Sequence, residues 1–537
     1  MKTLKLALVV MIAVAVMFLN GCGDSGSLRS FKNYSFYIWQ NPLMSLNPTN
    51  NVHCDSYMTD TYAYAGPNPG NQPKISQLNV ANIKDPNTGQ SREILVGECA
   101  AHSFDRDGNI QTIAAGMLKN ISDPYFERYV LTIDRNTLDI LALYSFNKPA
   151  DNTTGKVDFG GAGYFYQDNQ YRMVTALPDG HLKILRRTPS TAGGIDGYTA
   201  DADYNIIGAI GNTPVPGGKT PSLYAAVPDK SGNIWVTTNK AIICTITPGG
   251  SIHWINLNDP NNTGKLETQY DGGYQEIANS HSVDEGESET EPSGVYILTN
   301  YRLYRLTAAL DGTPVISWYA DYDHGTGIKS GQVSHGSGTT PTIFNMGNRR
   351  FVAITDNAQF MNINVYRTES TLLPGEKRLF AQITPFGQNA AVSDENSLIV
   401  SPGEDGSSVN IYAENNYGND DPNSTFQAGV TQPGFVRTNL RSDGTFTVAS
   451  INNNIAVPSL VSKISLPSNT VYTYNKTPDG WYLTGLDGTD LTNVRFTTKV
   501  GPGEFRYNNF YAALSLDPDG KTVWIGTLLG LTKVQQQ

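Results

Sequence analysis

The chain has 537 residues, with 38 Lys and Arg against 49 Asp and Glu and a formal net charge of -11. This acidic balance removes the electrostatic basis for binding nucleic acid. Only 16% of the residues are charged, whereas 52 Gly and 29 Tyr supply many turns and aromatic side chains, a profile that favours an all-β exported protein over an α/β enzyme.

The chain begins with a predicted export signal. A short basic start precedes an apolar run over residues 6–19, which has the length of a secretory signal core and is short for a membrane span. The motif Leu19-Asn20-Gly21-Cys22 resembles the bacterial lipobox, in which the cysteine is lipidated and becomes the first residue of the mature protein. The alternative is an ordinary signal peptide with a chance cysteine. Gly23 in the next position resembles lipoproteins destined for the outer membrane.

This resemblance implies a division of the chain and a location. Residues 1–21 are the predicted lipoprotein signal peptide, residues 22–74 are the lipidated Cys22 with a tether and an N-terminal extension, and residues 75–537 are a single β domain. The predicted location is the bacterial cell envelope, with the lipid anchor in the outer membrane on its periplasmic or its surface face.

Three cysteines remain if Cys22 carries the lipid. Cys54 and Cys99 are either paired in a disulfide or free, since an exported protein meets an oxidising compartment. Cys244 lies in an apolar strand and is expected to be a buried thiol.

One pattern recurs along the chain. An apolar strand leads into a tight turn containing Asp with Gly or Asn, and a second β-rich strand follows, because these turn residues favour hairpins. The copies lie at residues 103–110, 174–185, 223–238 and 511–526. A second hairpin follows several of them, most clearly at residues 301–318. Two hairpins in series make a four-stranded unit.

These units predict a β-propeller. Inner hairpins near residues 100, 170, 223, 280, 342, 398, 458 and 511 indicate about eight four-stranded blades, with seven possible. The last unit is too short for a full blade. An N-terminal strand, for which residues 91–96 are the candidate, is therefore expected to complete it and close the ring. An array of β-sandwiches is the alternative architecture.

Several stretches resemble known propellers. Residues 306–318 resemble the repeats of quinoprotein-type propellers, and residues 335–343, 353–358 and 411–418 resemble a largely uncharacterised group of bacterial propeller proteins. The resemblance implies the fold and assigns no reaction. Quinoproteins hold pyrroloquinoline quinone between a Trp and a disulfide of adjacent cysteines. This chain has no Cys-Cys pair and no Cys-x-x-Cys-His motif for haem, which argues against both cofactors.

Polar residues before and after the predicted inner hairpins suggest a cation site. Residues one hairpin apart, roughly 16 to 20 positions, can meet at one end of the central channel, and a ring of carboxylate and amide oxygens suits calcium. The arrangement resembles the metal site at the channel mouth of gluconolactonase- and paraoxonase-like propellers. By that resemblance the candidate ligands are Asn279, Asp356, Asn357, Asn396, Glu414, Asn415 and Asn509. The alternative is that these side chains bond to their own loops.

Two histidines, His102 and His281, lie near the predicted starts of inner strands. Either one is a candidate general base beside a carbonyl polarised by the metal. The alternative role is a hydrogen bond between blades.

Three functions remain open. The preferred one is a membrane-anchored extracytoplasmic propeller that binds an unknown small molecule or protein without turnover. The alternative is a calcium-dependent hydrolase of the lactonase or esterase type, with its site at the channel mouth. The third is a quinone-dependent oxidoreductase. The Tyr-rich loops and the lack of a sharp catalytic signature favour the first.

Overall fold

The computed structural model describes residues 38–537 except 71, 119–125, 147–162, 178, 212, 214–220, 265–272, 289–290, 333, 394–396 and 404–405. The predicted signal peptide and Cys22 lie outside this part of the chain. Within it, the strands form eight sheets of four or five strands each. The sheets are the eight blades of a β-propeller, as the spacing of the hairpins predicts.

Two strands precede the first blade, β1 (Thr61–Tyr62) and β2 (Lys74–Leu78). Blade 1 contains β3 (Val80–Lys84), β4 (Ser91–Phe104), β5 (Ile110–Leu118), β6 (Phe126–Ile133) and β7 (Ile140–Ser145). Blade 2 contains β8 (Phe165–Gln167), β9 (Met173–Ala176), β10 (His181–Thr188) and β11 (Gly197–Asn205). Blade 3 contains β12 (Leu223–Pro228), β13 (Ile234–Thr238), β14 (Ile242–Ile246) and β15 (Ile252–Asn256). Blade 4 contains β16 (Ser282–Val283), β17 (Val295–Leu298), β18 (Arg302–Ala308) and β19 (Pro314–Asp321).

Blade 5 contains β20 (Thr342–Met346), β21 (Arg349–Thr355), β22 (Ile363–Arg367) and β23 (Leu379–Ile383). Blade 6 contains β24 (Ile399–Pro402), β25 (Ser408–Glu414), β26 (Phe435–Arg441) and β27 (Phe446–Asn452). Blade 7 contains β28 (Lys463–Ser465), β29 (Thr470–Thr477), β30 (Gly480–Asp487) and β31 (Val494–Gly501). Blade 8 contains β32 (Leu514–Leu516), β33 (Thr522–Thr527) and β34 (Gly530–Gln535).

Helical structure in the described residues is short. It comprises α1 (Ile206–Ile210), α2 (Pro260–Thr263), α3 (Pro422–Phe426) and a 3₁₀ turn at Phe505–Tyr507. The side chains of Asn205, Asp259 and Asp421 cap the first turns of the three helices.

The ring closes through an N-terminal strand, but through a different one from the candidate. Strand β2 pairs antiparallel with β34, from Lys74 opposite Gln535 to Leu78 opposite Leu531, and so becomes the outer strand of blade 8. Residues 91–96 instead open β4 in blade 1. The expectation for residues 91–96 was wrong because they are the start of a long strand that pairs on both sides, with β3 and β5. The predicted domain start at residue 75 falls inside β2.

An aspartate organises the inner hairpin in several blades. In blade 3, Asp229 Oδ1 accepts hydrogen bonds from the backbone of Ser231 at 2.9 Å and Asn233 at 3.0 Å. Its Oδ2 accepts one from Trp235 Nε1 at 2.9 Å. Blade 8 repeats the device, with Asp517 Oδ2 accepting from Trp524 Nε1 at 2.9 Å. In both blades one carboxylate thus joins the turn to the second strand.

Residues 38–64, which we call the plug, lie within the central channel. The first residues of the plug, including Asn41 and Leu43, lie at the end where the inner strands finish, which we call the plug end. The plug forms hydrogen bonds to the inner strand of every blade. Its partners, from blade 1 to blade 8, are Phe104, Gln167, Pro228, Val283, Ile343, Val400, Ile464 and Leu516. Because one segment contacts all eight blades, it acts as a hub for the ring.

A buried ion pair holds the plug to blade 7. Lys463 donates to Asp60 and, at 2.5 Å, to the carbonyl oxygen of Val52. His53 Nδ1 lies 3.2 Å from Asp60 Oδ2, and Ser397 also donates to this carboxylate. Burial alone would raise the pKa of Asp60, but the charge of Lys463 and the contacts with His53 lower it below its ordinary value. The carboxylate is therefore held ionised inside the protein.

Candidate functional site at the channel mouth

The opposite end of the channel, where the inner strands begin, holds a cavity of about 330 Å³. We call this end the mouth. Val52 of the plug lies against the cavity, and the walls come from the starts of the inner strands of several blades together with loops between strands. The volume lies near the lower bound of small-molecule sites, about 300–1,000 Å³. The plug thus contributes one residue to the lining of the cavity.

Four aromatic rings line this cavity. Tyr164 and Tyr224 stand on blades 2 and 3 with ring centroids 6.3 Å apart, and Phe510 and Tyr511 form an edge-to-face pair at 4.9 Å before blade 8. The Tyr164 hydroxyl donates to Asn279 Oδ1 at 2.5 Å and the Tyr511 hydroxyl to the carbonyl oxygen of Gly331 at 3.4 Å. These two hydroxyls are bound to the wall, so the rings present apolar and π surface to a ligand.

Glu98 is the acidic group of the blade 1 wall. It lies in the interruption between the two paired parts of β4, and its backbone is left-handed with φ of 43°. Such a conformation is strained for a residue with a side chain and clusters at functional sites. Burial raises the pKa of Glu98 to about 7, and the positive charge of Arg128 opposes this shift. Near neutral pH this carboxyl group can therefore hold or release a proton.

Asp420 and Asp421 contribute two more carboxylates from the loop between β25 and β26. Asp420 Oδ1 accepts hydrogen bonds from the Ser330 hydroxyl and the Gly331 backbone, both at 2.8 Å. Asp421 Oδ1 caps α3 through the backbone of Asn423 and Ser424. These bonds fix the loop at the mouth, and the side chains themselves are exposed.

The two candidate histidines are fully buried and do not line this cavity. His102 Nδ1 lies 3.2 Å from the hydroxyl of Ser515. Neither ring nitrogen of His281 has a hydrogen-bond partner among the described residues. Burial lowers the pKa of each to about 3, so both rings are neutral at ordinary pH. Their role as bases stays a prediction.

Among the predicted calcium ligands, Asp356 directly follows β21 at the mouth end. Its carboxylate accepts hydrogen bonds from the backbone of Ala358 and Asn362 and from the side chains of Asn362 and Asn364. Glu414, at the end of β25, accepts a hydrogen bond from the Ser462 hydroxyl at 2.6 Å. The carboxylate oxygens of Asp356 and Glu414 thus stabilise a loop and a contact between neighbouring blades through hydrogen bonds.

The amide candidates also lie beside the mouth ends of strands. Asn279 Oδ1 accepts from Tyr164 and from the backbone of Ser280, and Asn415 Oδ1 accepts from the backbone of Val392 and Tyr417. The buried Oδ1 atoms of Asn357 and Asn509 accept no hydrogen bond within the described residues. Asn396 lies outside the described residues.

The described part of the chain contains no group of three or more His, Cys, Asp or Glu placed to hold a metal. In this arrangement the described candidates do not fit a calcium site, because most of their oxygens already accept hydrogen bonds from the protein. The calcium site stays a prediction, and the chemistry below is derived without it.

Cys54, Cys99 and Cys244 are free and buried. Burial raises the pKa of Cys54 and of Cys99 to about 12, so neither is a thiolate at neutral pH. Cys54 and Cys99 are therefore free thiols in the structure and do not form a disulfide with each other.

Sequence reasoning missed the residues that line the cavity, with Glu98 the main one. The sequence does carry one indication of an irregular strand at this point, which is Gly97-Glu98 inside an otherwise apolar strand pattern. An isolated Gly in a strand marks a bulge or a close approach of another backbone. A Cβ at Gly97 would lie 2.2 Å from the carbonyl oxygen of Leu528 in blade 8. The position therefore accepts only glycine.

No protein-family model matches the chain. An uncharacterized protein of Archaeoglobus fulgidus is 23% identical over 280 residues, which are 48% of this chain and 52% of that protein. The chain thus spans about half the length of the curated relative it matches.

Solved propellers resemble the chain at the level of fold. The Dos1 propeller has a TM-score of 0.46 at 9% identity, covering 86% of this chain and 96% of that one. The structure of dihydro-heme d1 dehydrogenase NirN in complex with DHE has a TM-score of 0.41 at 9% identity, covering 76% of this chain and 71% of that one. The structure of a putative 6-phosphogluconolactonase from Bacteroides fragilis has a TM-score of 0.36 at 10% identity, covering 73% of this chain and 96% of that one. No residue role is transferred from these proteins.

Proposed function

We propose that this protein is a ligand-binding propeller of the bacterial cell envelope, with its binding site in the cavity at the mouth. The observation that carries the proposal is the combination of four aromatic rings and a few charged groups in one cavity of about 330 Å³. Small-molecule sites typically combine apolar walls with a small number of polar groups that fix orientation.

The anchoring part of the proposal rests on the sequence. A lipid on Cys22 would hold the chain to a membrane through the residues that precede the plug. Asn41 bonds to Pro228 and the Leu43 carbonyl accepts from Asn169, both at the plug end of the ring. The tether would therefore leave from that end, and the mouth would face away from the membrane. In the described residues no helix has the length and apolar character for crossing a membrane.

The proposal is tested by filling the cavity. Ala100 lines it, so Ala100→Trp should occupy the space that a ligand needs. Compounds from a small-molecule library that raise the melting temperature of the wild type, as ligands of the folded state do, should leave the variant unchanged. Ala192→Trp, on an exposed turn at the plug end, is the matched control and should respond like the wild type. Equal shifts in all three proteins would place binding elsewhere.

A hydrolase of the lactonase or esterase type is the second candidate, and Glu98 is the observation that favours it. A carboxyl group with a pKa of about 7 in a cavity is suited to general acid–base catalysis at neutral pH. Hydrolysis of lactone and ester substrates should then rise with pH through about 7 and be lost in Glu98→Gln. Retained activity in that variant would exclude Glu98 as the base. Metal analysis before and after chelation would test the predicted calcium separately.

A further inference from the structure

The ligand class follows from the charges and rings of the mouth cavity, and this inference rests on the proposed function. Three carboxylates, those of Glu98, Asp420 and Asp421, line the cavity together with one cationic side chain, Arg128. Arg128 lies near enough to Glu98 to act on its titration. When Glu98 is ionised, its charge and that of Arg128 offset one another on the blade 1 wall, which leaves Asp420 and Asp421 without a counter-charge among the described residues that line the cavity.

The aspartates stand beside aromatic surface. Phe510 and Tyr511 come from blade 8, and Tyr164 and Tyr224 from blades 2 and 3. Aromatic rings attract cations through their π faces, by about 0.5–1 kcal/mol at exposed sites and more where water is excluded. Carboxylates and rings around one small space suit a positively charged organic group. The net charge of -11 would attract such a ligand from a distance as well.

We propose that the mouth cavity binds an organic ammonium cation, with its charge beside Asp420 and Asp421 and its carbon groups against the rings of Tyr224, Phe510 and Tyr511. A neutral molecule of the same shape would gain the apolar contacts but not the attraction to the carboxylates. An anionic molecule would be repelled by the two aspartates. The cavity should therefore discriminate by charge at constant shape.

The probes are choline and its uncharged isostere 3,3-dimethylbutan-1-ol, titrated calorimetrically into the protein lacking residues 1–22. Choline should bind at least about tenfold more tightly than the alcohol, because a close charge pair adds affinity that shape alone does not. In the double variant Asp420→Asn with Asp421→Asn this preference should disappear. Asparagine keeps the oxygen that accepts from Gly331 at position 420 and caps α3 at position 421.

Asp443→Asn, which removes an exposed carboxylate on the turn between β26 and β27, is the control for net charge. It should keep the preference for choline. Equal affinity for the two probes, no binding of choline at millimolar concentration, or a preference that survives in the double variant would overturn the inference. Uncharged compounds that stabilise the wild type but not Ala100→Trp would leave the proposed function standing while this inference fails.

Discussion

At the residue scale, the centre of the molecule combines buried charge with strained backbone. Cys54, Met58 and Asp60, all in the plug, have φ of 76°, 59° and 55°, a region that residues with side chains rarely adopt. The contacts of the plug with all eight blades hold these conformations in place. Asp60 carries both features, since its carboxylate is buried and paired with Lys463.

Replacing Asp60 with asparagine tests the buried ion pair. Asparagine tolerates the left-handed backbone, so the main change is a lysine left buried without its counter-charge. We expect the free energy of unfolding to fall by about 3–5 kcal/mol, measured by urea denaturation. Combining Asp60→Asn with Lys463→Met should cost less than the two single losses added together. A single variant as stable as the wild type would show that the pair contributes nothing.

His281 makes stability depend on pH. Its pKa in the folded protein is lowered to about 3 by burial, from 6.5. Between pH 3 and pH 6.5 the histidine therefore binds a proton in the unfolded chain but not in the folded protein. The free energy of unfolding consequently decreases as pH falls below about 6.5. By pH 5 the loss amounts to about 2 kcal/mol.

His281→Leu should therefore shrink the difference in melting temperature between pH 7.5 and pH 5. Scanning calorimetry at the two pH values measures it, and the comparison within each protein removes any packing cost of leucine. His253→Leu, on the partly exposed β15, is the matched histidine-to-leucine control. An unchanged difference in the His281 variant would contradict the assigned burial of the neutral ring.

At the scale of elements, the inner hairpin is the part of the fold that sequence reasoning predicts well. In blades 3 and 8 the Asp of the turn accepts a hydrogen bond from the Trp of the next strand. The hairpin is therefore stabilised by contacts between residues close in sequence, which a sequence pattern can reveal. The eight expected hairpin positions lie near the inner strands of the eight blades. Among the four copies of the turn pattern, the one at residues 174–185 does not lie on an inner hairpin, because it spans β9 and β10, the second and third strands of blade 2.

The plug and the cavity could not be predicted in the same way. Residues 38–64 have no alternation of apolar and polar positions, and their conformation depends on hydrogen bonds to strands hundreds of positions away, such as Thr61 to Val400. The described candidate ligands, which exclude Asn396, lie beside the mouth ends of strands, and the metal site itself stays a prediction. Their hydrogen bonds to neighbouring loops depend on side-chain directions that spacing does not determine.

Asp229→Asn tests the hairpin device. The asparagine amide nitrogen would face two donors, Trp235 Nε1 and Asn233 Nδ2, both now bonded to Asp229 Oδ2 at 2.9 Å. Leaving buried donors without an acceptor should lower the free energy of unfolding by about 2 kcal/mol, seen as a lower urea midpoint. Asp311→Asn, in an exposed turn of blade 4, should change stability by less than about 0.5 kcal/mol. Equal effects at both positions would refute the special role of Asp229.

At the scale of the whole molecule, the plug joins ring closure to the formation of the site. It contacts every blade. Tyr64 at its end donates a hydrogen bond to the carbonyl oxygen of Leu516 in blade 8, and the chain then continues to β2, which closes the ring. Val52 of the same segment lies against the mouth cavity. One stretch of chain therefore links the predicted tether, the closure of the propeller and the mouth cavity.

Two truncated chains separate these roles. A chain that begins at residue 38 keeps the plug and is the reference for the urea midpoint. A chain that begins at residue 65 loses the buried Trp39, Met44, Tyr57 and Tyr62 and should unfold at a clearly lower concentration, with loss of the cavity. Equal midpoints for the two truncated chains would mean that the ring holds together without its hub.

The most direct measurement of the central claim is a crystal structure of the protein with the compound that stabilises it most. We expect density for that compound in the mouth cavity, between Glu98, Tyr224 and Tyr511, with the plug in place beside it. Density at the plug end or on the outer strands, with an empty mouth, would contradict the proposed function.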